Sequence, residues 1–320
     1  MRQNVRFFNA LLVFAIVCAL LIGGTALMRS GEGFARPSMS FGGAEAGLIT
    51  IEGVIMASGG DGGAFGGSGG VSSMRVVKEI NEYVDDNSIK GIIVRIDSPG
   101  GSAAASDEIW SALRKAKEKK KVVVSMGDVA ASGGYYIATA ADFIYANQST
   151  LTGSIGVIFE GMEFSGLFEK LGIGTTTIKA GKDKDIGSIN RPMTAEEKAM
   201  LQALLDEVHE QFIGRVAEGR NLAVEEVRKI ATGMVFTGEQ AKELHLIDEV
   251  GSFDDAFAKL EELCDEDLTL REPPPPSFWD FFMNPGLTKL PPTFQGMESP
   301  LSRLAAVLYL NGLLAEMRMR

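Results

Sequence analysis

The chain has 320 residues, of which 45% are hydrophobic and 23% charged, so it can bury the core of one large domain or of two ordinary ones. A formal net charge of −11 argues against nucleic-acid binding, which requires a basic surface. The only histidines are His209 and His245, and the only cysteines are Cys18 and Cys264. This scarcity disfavours a disulfide framework, a Cys/His zinc site and a Ser-His-Asp triad. We therefore expect no metal, no cofactor and no nucleic-acid partner.

Residues 7–28 form an apolar segment without a charge. A helix of that length spans roughly 33 Å, enough for a hydrocarbon core of about 30 Å. Arg2 and Arg6 precede the segment and place the short N-terminus in the cytoplasm by the positive-inside rule, although Arg29 and Arg36 on the other side weaken that assignment. A cleaved signal peptide is the alternative, but no clean small-x-small cleavage site follows. We expect a single-pass anchor in the cell (inner) membrane, with the rest of the chain extracytoplasmic.

The C-terminal end is rich in proline. Eight of the 11 prolines lie between Pro273 and Pro300, which predicts an extended spacer. Residues 301–320 then carry apolar side chains at rough helical spacing. This pattern fits a helix that packs on protein and equally one that lies at a membrane interface. We therefore expect five segments in chain order: a cytoplasmic N-terminus (1–6), a transmembrane anchor (7–28), a linker (29–46), a main domain (47–271) and a tail (272–320).

The main domain alternates between apolar runs and helical spacing, which predicts an α/β fold. Strands are predicted at 48–55, 91–96, 122–126, 143–145 and 155–158, and helices at 73–85, 103–119, 130–141 and from Thr194 onward. Glu197 completes a capping box with Thr194. The glycine-rich stretch 58–70 predicts a flexible loop or a mobile lip over a substrate groove. The basic run from Lys115 to Lys121 is typical of a solvated helix end.

Two segments stand at strand-to-helix junctions. The run Asp97-Ser98-Pro99-Gly100-Gly101-Ser102 can turn sharply and present backbone N–H groups to a ligand, although a plain turn explains it equally well. In Ala130-Ala131-Ser132-Gly133-Gly134-Tyr135-Tyr136, small neighbours leave Ser132 accessible at the start of a helix. The helix dipole there would stabilise a nearby oxyanion. The alternative is an ordinary N-cap serine.

A third segment, residues 179–186, follows the strand-like run 175–178 and contains three lysines. A lysine could act as a general base if desolvation lowered its pKa by roughly 3 units from about 10.4. A solvated basic loop is the alternative.

Residues 93–101 and 126–136 together closely resemble the signal peptide peptidase A family, and the resemblance continues through Leu151–Val157, Gly181–Asp185 and Leu246–Asp248. It covers about residues 47–265. The resemblance implies an α/β fold of the ClpP/crotonase-like ββα superhelix type with an N-terminal transmembrane helix. His245 departs from the family pattern, which usually has glycine before Leu-Ile-Asp, and the glycine-rich loop is unusually long.

The resemblance also implies roles for individual residues. Lys184 stands at the family's Gly-x-x-Lys spacing from Gly181, and Lys182 is its competitor as the base. Ser132 would be the nucleophile and Lys184 the base. The backbone N–H groups of Gly133 and of either Gly100 or Gly101 would bind the oxyanion. The hydroxyl of Ser154 would orient the lysine amine.

The function that the resemblance implies is that of a membrane-anchored serine endopeptidase. It would use a Ser-Lys dyad and an acyl-enzyme to hydrolyse cleaved (remnant) signal peptides and other membrane-derived polypeptides. The resemblance further implies a homo-oligomer in which the serine and the lysine meet across a subunit boundary. Two other classes stay open: a cytoplasmic acyl-CoA enzyme of the crotonase type and a non-catalytic scaffold. A histidine-based hydrolase is disfavoured because His209 falls on an amphipathic helix.

Overall fold

The fold is described for residues 43–58 and 70–271 of a computed structural model. The predicted anchor at 7–28, nearly all of the glycine-rich loop and the tail from 272 lie outside the described residues. Within the two described ranges, no helix combines the length and the apolar character that crossing a membrane requires.

Ten strands are described, and most of them form one sheet in the order β10-β1-β4-β5-β6-β9. All neighbours in that order are parallel, β7 extends the sheet beside the second half of β5, and β8 pairs antiparallel with β7. β2 and β3 form a separate parallel pair. The strands are β1 Glu45–Glu52, β2 Ile55–Met56, β3 Val71–Ser72, β4 Ile89–Ser98, β5 Lys121–Ala131, β6 Phe143–Ala146, β7 Leu151–Gly153, β8 Val235–Thr237, β9 Glu249–Val250 and β10 Thr269–Arg271.

Eight helices are described in the same ranges. They are α1 Ser73–Asp85, α2 Ala103–Ala116, α3 Gly133–Ala138, α4 Ser165–Lys170, α5 Ala195–Arg220, α6 Val224–Ile230, α7 Gly238–Glu243 and α8 Phe253–Cys264. The predicted capping box at the start of α5 is present, with the Thr194 hydroxyl and the Glu197 carboxylate each accepting from the other residue's backbone N–H. This confirms the predicted start of the long helix.

Both faces of the central strands are buried, as expected for a parallel sheet covered by helices. Ile92, Val94 and Ile96 of β4 belong to the main core, which α1 and α2 cover. Ile93 points the other way and packs with Leu260 of α8 in a smaller cluster. The short apolar runs of the sequence therefore predict the central strands correctly, and β4 and β5 hold the middle of the sheet.

Two predicted elements differ in extent. The helix predicted at 130–141 is limited to α3, because β5 continues through Ala131 by pairing with β7, and Ser132 then takes a φ of 51°. The strand predicted at 48–55 is interrupted at Gly53, where a φ of 80° separates β1 from β2.

The prediction of a strand at 155–158 is wrong. The strand in this region is β7, and it ends where Ser154 takes a φ of 51° and donates its N–H to Met234 O at 2.8 Å. The prediction of a strand-like run at 175–178 is also wrong, because these residues are exposed and pair with none of the described strands. An apolar run forms a strand only where a neighbouring strand can accept its backbone hydrogen bonds.

Residues 156–193, here called the arm, contain no buried residue. The arm nevertheless carries large apolar side chains, with Ile158 85% exposed, Met162 69% exposed and Ile178 95% exposed. The arm thus presents apolar surface that is not covered by the described part of the chain.

Candidate active site

Ser132 and its neighbours lie at the carboxyl ends of the central strands, where α/β sheets commonly bind ligands. Gly100 and Gly101 follow β4, Ser132 follows β5 and Ser154 follows β7. They border a cleft of about 760 Å³ whose lining includes Gly101, Ser132, Gly133 and Ser154. The structure therefore brings Gly101, Gly133 and both predicted serines to one cleft.

Ser132 has a backbone conformation that serine rarely adopts, with φ 51° and ψ −119°. Its N–H donates to Gly153 O at 2.9 Å, and its carbonyl accepts from Tyr136 N at 2.8 Å. Its hydroxyl makes no capping hydrogen bond to α3, so the N-cap interpretation is wrong. Strained residues held on both sides in this way cluster at active sites, where the strain presents a side chain to a ligand.

The two glycine segments differ in which amides are free. Gly100 N donates to Ser98 Oγ at 3.1 Å, so this amide already has an acceptor. Gly101 N and Gly133 N donate to nothing within residues 43–58 and 70–271. The two are close together, because a Cβ placed on Gly133 would lie 3.3 Å from Gly101 N. Ile55 N donates to Gly100 O at 2.9 Å and fixes the turn. Of the two alternatives from the sequence, Gly101 is therefore the better partner for Gly133.

A polar cluster joins α3 to α5 beside the cleft. Tyr136 donates its hydroxyl to Asp107 Oδ1 at 2.6 Å, and Arg215 Nη2 reaches the same oxygen at 3.1 Å. The Arg215 guanidinium also stacks 3.9 Å from the centre of the Trp110 ring. Burial, and next the bond to Asp107, raise the pKa of Tyr136 to about 12, so its hydroxyl stays a donor. This cluster holds α5 against the helix that starts after Ser132.

α5 supplies one wall of the cleft, which the sequence did not indicate. His209 is half-buried and lines the cleft, with its Nε2 inaccessible to solvent and without a hydrogen-bond partner in the described residues. Phe212 lines the same wall and is buried against Tyr136, with 5.0 Å between ring centres. The prediction of a packed or half-exposed helical histidine is confirmed. Helical periodicity alone carries no signal that this face borders a cleft.

The three lysines between residues 179 and 184 of the arm have different surroundings. Lys182 pairs with Glu196 at 2.7 Å, and this hydrogen bond raises the pKa of the lysine. Lys179 pairs with Asp185. Lys184 is exposed, makes no ion pair with any described residue and does not line the cleft beside Ser132. The structure therefore places Lys184 apart from the Ser132 cleft of its own chain.

No group of three or more His, Cys, Asp or Glu side chains is placed to hold a metal ion, among the residues that the structure describes.

Comparison with known proteins identifies the domain that carries this site. Residues 114–267 match the model of Peptidase family S49, and residues 71–150 match the model of Clp protease. The chain contains a peptidase family S49 domain. The S49 match includes Ser132, Ser154 and Lys184, and the Clp protease match includes both glycine segments around the cleft.

Individual relatives are proteases by name. The chain is 47% identical over 182 residues to a putative protease of Synechocystis sp., covering 57% of this chain and 66% of the relative. It is 36% identical over 185 residues to a putative signal peptide peptidase SppA of Enterococcus faecium, covering 58% and 54%. It is 39% identical over 197 residues to Protease 4 of Salmonella typhi, covering 61% and 32%. The chain thus spans about two thirds or less of these relatives. The S49 domain and these names support a serine-type endopeptidase.

Proposed function

We propose that this protein is a serine endopeptidase in which Ser132 is the nucleophile and Lys184 the general base. The observation that carries the proposal is the strained Ser132, whose hydroxyl caps no helix and which shares a cleft with Gly101 and Gly133, two glycines whose N–H groups donate to no described residue. An acyl-transfer site needs a nucleophile next to preorganised donors for the oxyanion, and these three residues are the proposed source of both.

The chemistry follows from these roles. Neutral Lys184 removes the proton from Ser132 Oγ as the oxygen attacks the peptide carbonyl carbon. The carbonyl oxygen becomes an oxyanion and accepts hydrogen bonds from Gly101 N and Gly133 N. Collapse breaks the C–N bond, and the lysine gives its proton to the leaving amine. Water then attacks the acyl-enzyme with Lys184 again as the base, which releases the acid and restores the serine. Ser154, on the cleft wall, orients the lysine amine.

The base comes from a second copy of the chain. Lys184 lies on the arm, away from the cleft of its own chain, and the arm exposes apolar side chains such as Ile158 and Ile178. Burying that surface against a neighbouring copy would carry the lysine into the neighbour's cleft and lower its pKa by desolvation. A homo-oligomer is therefore part of the proposal.

The proposed substrates are peptides left in the membrane, in particular cleaved signal peptides. A cleft wall with Val157, Ile158, Val208 and Phe212 suits apolar segments. Residues 7–28 would anchor the protein in the inner membrane and leave the catalytic domain extracytoplasmic. The ββα superhelix of the ClpP/crotonase type belongs to the same proposal.

Peptide hydrolysis by the full chain in detergent tests the proposal. Wild type, Ser132→Ala, Lys184→Ala and the matched control Lys182→Ala would be compared on unstructured apolar peptides, with oligomer size recorded by light scattering. We expect the first two variants to lose activity by at least 10³-fold at unchanged size, because each removes one member of the dyad. Lys182→Ala should stay within a few-fold of wild type. Mixing the two inactive variants should restore part of the rate if the dyad is shared between copies. A fully active Ser132→Ala variant would contradict the proposed mechanism.

A further inference from the structure

We propose that Arg191 is a positioning residue that holds the loop carrying Lys184 in one orientation against the start of α5. This inference rests on the proposed function, because the orientation of the loop affects catalysis only if Lys184 is the general base. Arg191 itself touches neither the cleft nor Ser132. It bridges two carboxylates, one beside Lys184 in the chain and one on α5.

The first carboxylate is that of Asp185, the residue after Lys184. Arg191 Nε donates to Asp185 Oδ2 at 3.0 Å, and Arg191 Nη2 donates to Oδ1 at 2.8 Å. Such a bidentate salt bridge fixes the relative orientation of the two side chains as well as their distance. Arg191 and, next, Lys179 hold the pKa of Asp185 well below its usual range, so the carboxylate stays charged.

The second carboxylate is that of Glu197, in the first turn of α5. Arg191 Nη1 donates to Glu197 Oε2 at 2.9 Å, and Nη2 donates to Oε1. Glu197 Oε2 also accepts from Thr194 N at 2.8 Å, so the pair is joined to the helix cap. Glu197 is only 5% exposed, and no other residue in the first half of α5 is buried. The bridge therefore ends on the one buried side chain in this half of α5.

The Lys184 loop has few other restraints. Lys184 N donates to Gly181 O at 3.3 Å and Ser188 N donates to Asp185 O at 3.0 Å, and both contacts are local turns. No residue of the arm is buried, so no core contact fixes the loop. Two contacts tie this loop to α5. One is the exposed Lys182–Glu196 ion pair, and the other is the bridge through Arg191, which joins the carboxylate next to Lys184 to the buried Glu197. A base that must enter a neighbouring cleft at hydrogen-bond distance requires such a restraint.

The test compares kcat and KM of the full-length oligomer for Arg191→Met, Asp185→Asn and their double variant, with Arg191→Lys as the conservative change. Arg228→Met is the matched control, because Arg228 also pairs with a glutamate of α5, Glu210, at an exposed position away from the loop. Light scattering and urea unfolding accompany every variant.

We expect Arg191→Met to lower kcat by about 10- to 100-fold with KM within about threefold, because a displacement near 1 Å can cost about 10²-fold. Asp185→Asn should lower kcat too, and the double variant should be no worse than Arg191→Met, since both remove one interaction. Arg191→Lys should recover part of the loss, and Arg228→Met should match wild type.

Three results would overturn the inference. The first is a kcat of Arg191→Met within twofold of wild type. The second is a loss that appears only where the oligomer dissociates. The third is a Glu197→Gln variant that reproduces the whole loss while Asp185→Asn has none, which would limit Arg191 to capping α5. Lys184→Ala in the same series separates the two hypotheses. If it is active, the proposed function fails; if it is inactive while Arg191→Met is normal, only this inference fails.

Discussion

A methyl group at Gly100 should disable the oxyanion site. Gly100 has a φ of +102°, and an added Cβ would lie 2.7 Å from Gly133 N and 2.8 Å from Ser132 Cβ. Ordinary contacts at a Cβ begin near 3.4 Å, so the turn after β4 and the start of α3 must separate by about 0.7 Å. Oxyanion donors act only at about 2.7–3.1 Å, and misplacement by about 1 Å can cost about 10²-fold. We therefore expect Gly100→Ala to lower kcat by about 10- to 100-fold.

The same variant should also lose stability, because a left-handed conformation costs an alanine about 1–2 kcal/mol. Steady-state peptide hydrolysis gives kcat and KM, and urea unfolding gives the free energy of unfolding. Gly214→Ala is the control, since Gly214 lies inside α5 with nothing within 4 Å of an added Cβ. It should keep its activity and gain up to about 1 kcal/mol. A Gly100→Ala variant that unfolds more easily but keeps its kcat within twofold would refute the role given to this turn.

Three further predictions concern stability, each read from urea unfolding. His245→Gly should stabilise the protein by up to about 1 kcal/mol, because His245 has a φ of 59° that glycine adopts without strain. Asp248→Asn should lower the free energy of unfolding by about 2–3 kcal/mol, because the Asp248 carboxylate forms a bidentate salt bridge with Arg220, whose side chain is 8% exposed. Arg191 holds the pKa of Glu197 at about 2, so the charged form stabilises the fold above about pH 4.3 and this contribution is lost as the pH falls toward 2. The difference in stability between wild type and Glu197→Gln should accordingly be largest near neutral pH and disappear near pH 2.

The central sheet could be predicted from sequence because its signals are local. The apolar runs around Ile93 and Val123 are long enough to be read as buried strands, and the Thr194–Glu197 capping box marks the start of α5. The strand predicted at 155–158 failed for a reason that is not local. Its apolar residues have no neighbour among the described strands, and the chain leaves the sheet at Ser154.

The site could be predicted in part. Small residues around Ser132 indicated an accessible hydroxyl, but only the structure shows that this hydroxyl makes no capping hydrogen bond to α3. The sequence offered Gly100 and Gly101 equally, and the bond from Gly100 N to Ser98 Oγ distinguishes them. The wall that α5 contributes through His209 could not be predicted, because it depends on how a distant helix packs beside the cleft.

Covalent labelling tests the central claim most directly. The full-length protein would be treated with a fluorophosphonate, and the modified residue located by peptide mapping with mass spectrometry. We predict one adduct per chain on Ser132, no adduct in Ser132→Ala, and strongly slowed labelling in Lys184→Ala with Lys182→Ala labelled at the wild-type rate. An adduct on another residue, or labelling of Ser132→Ala at the rate of wild type, would contradict the account.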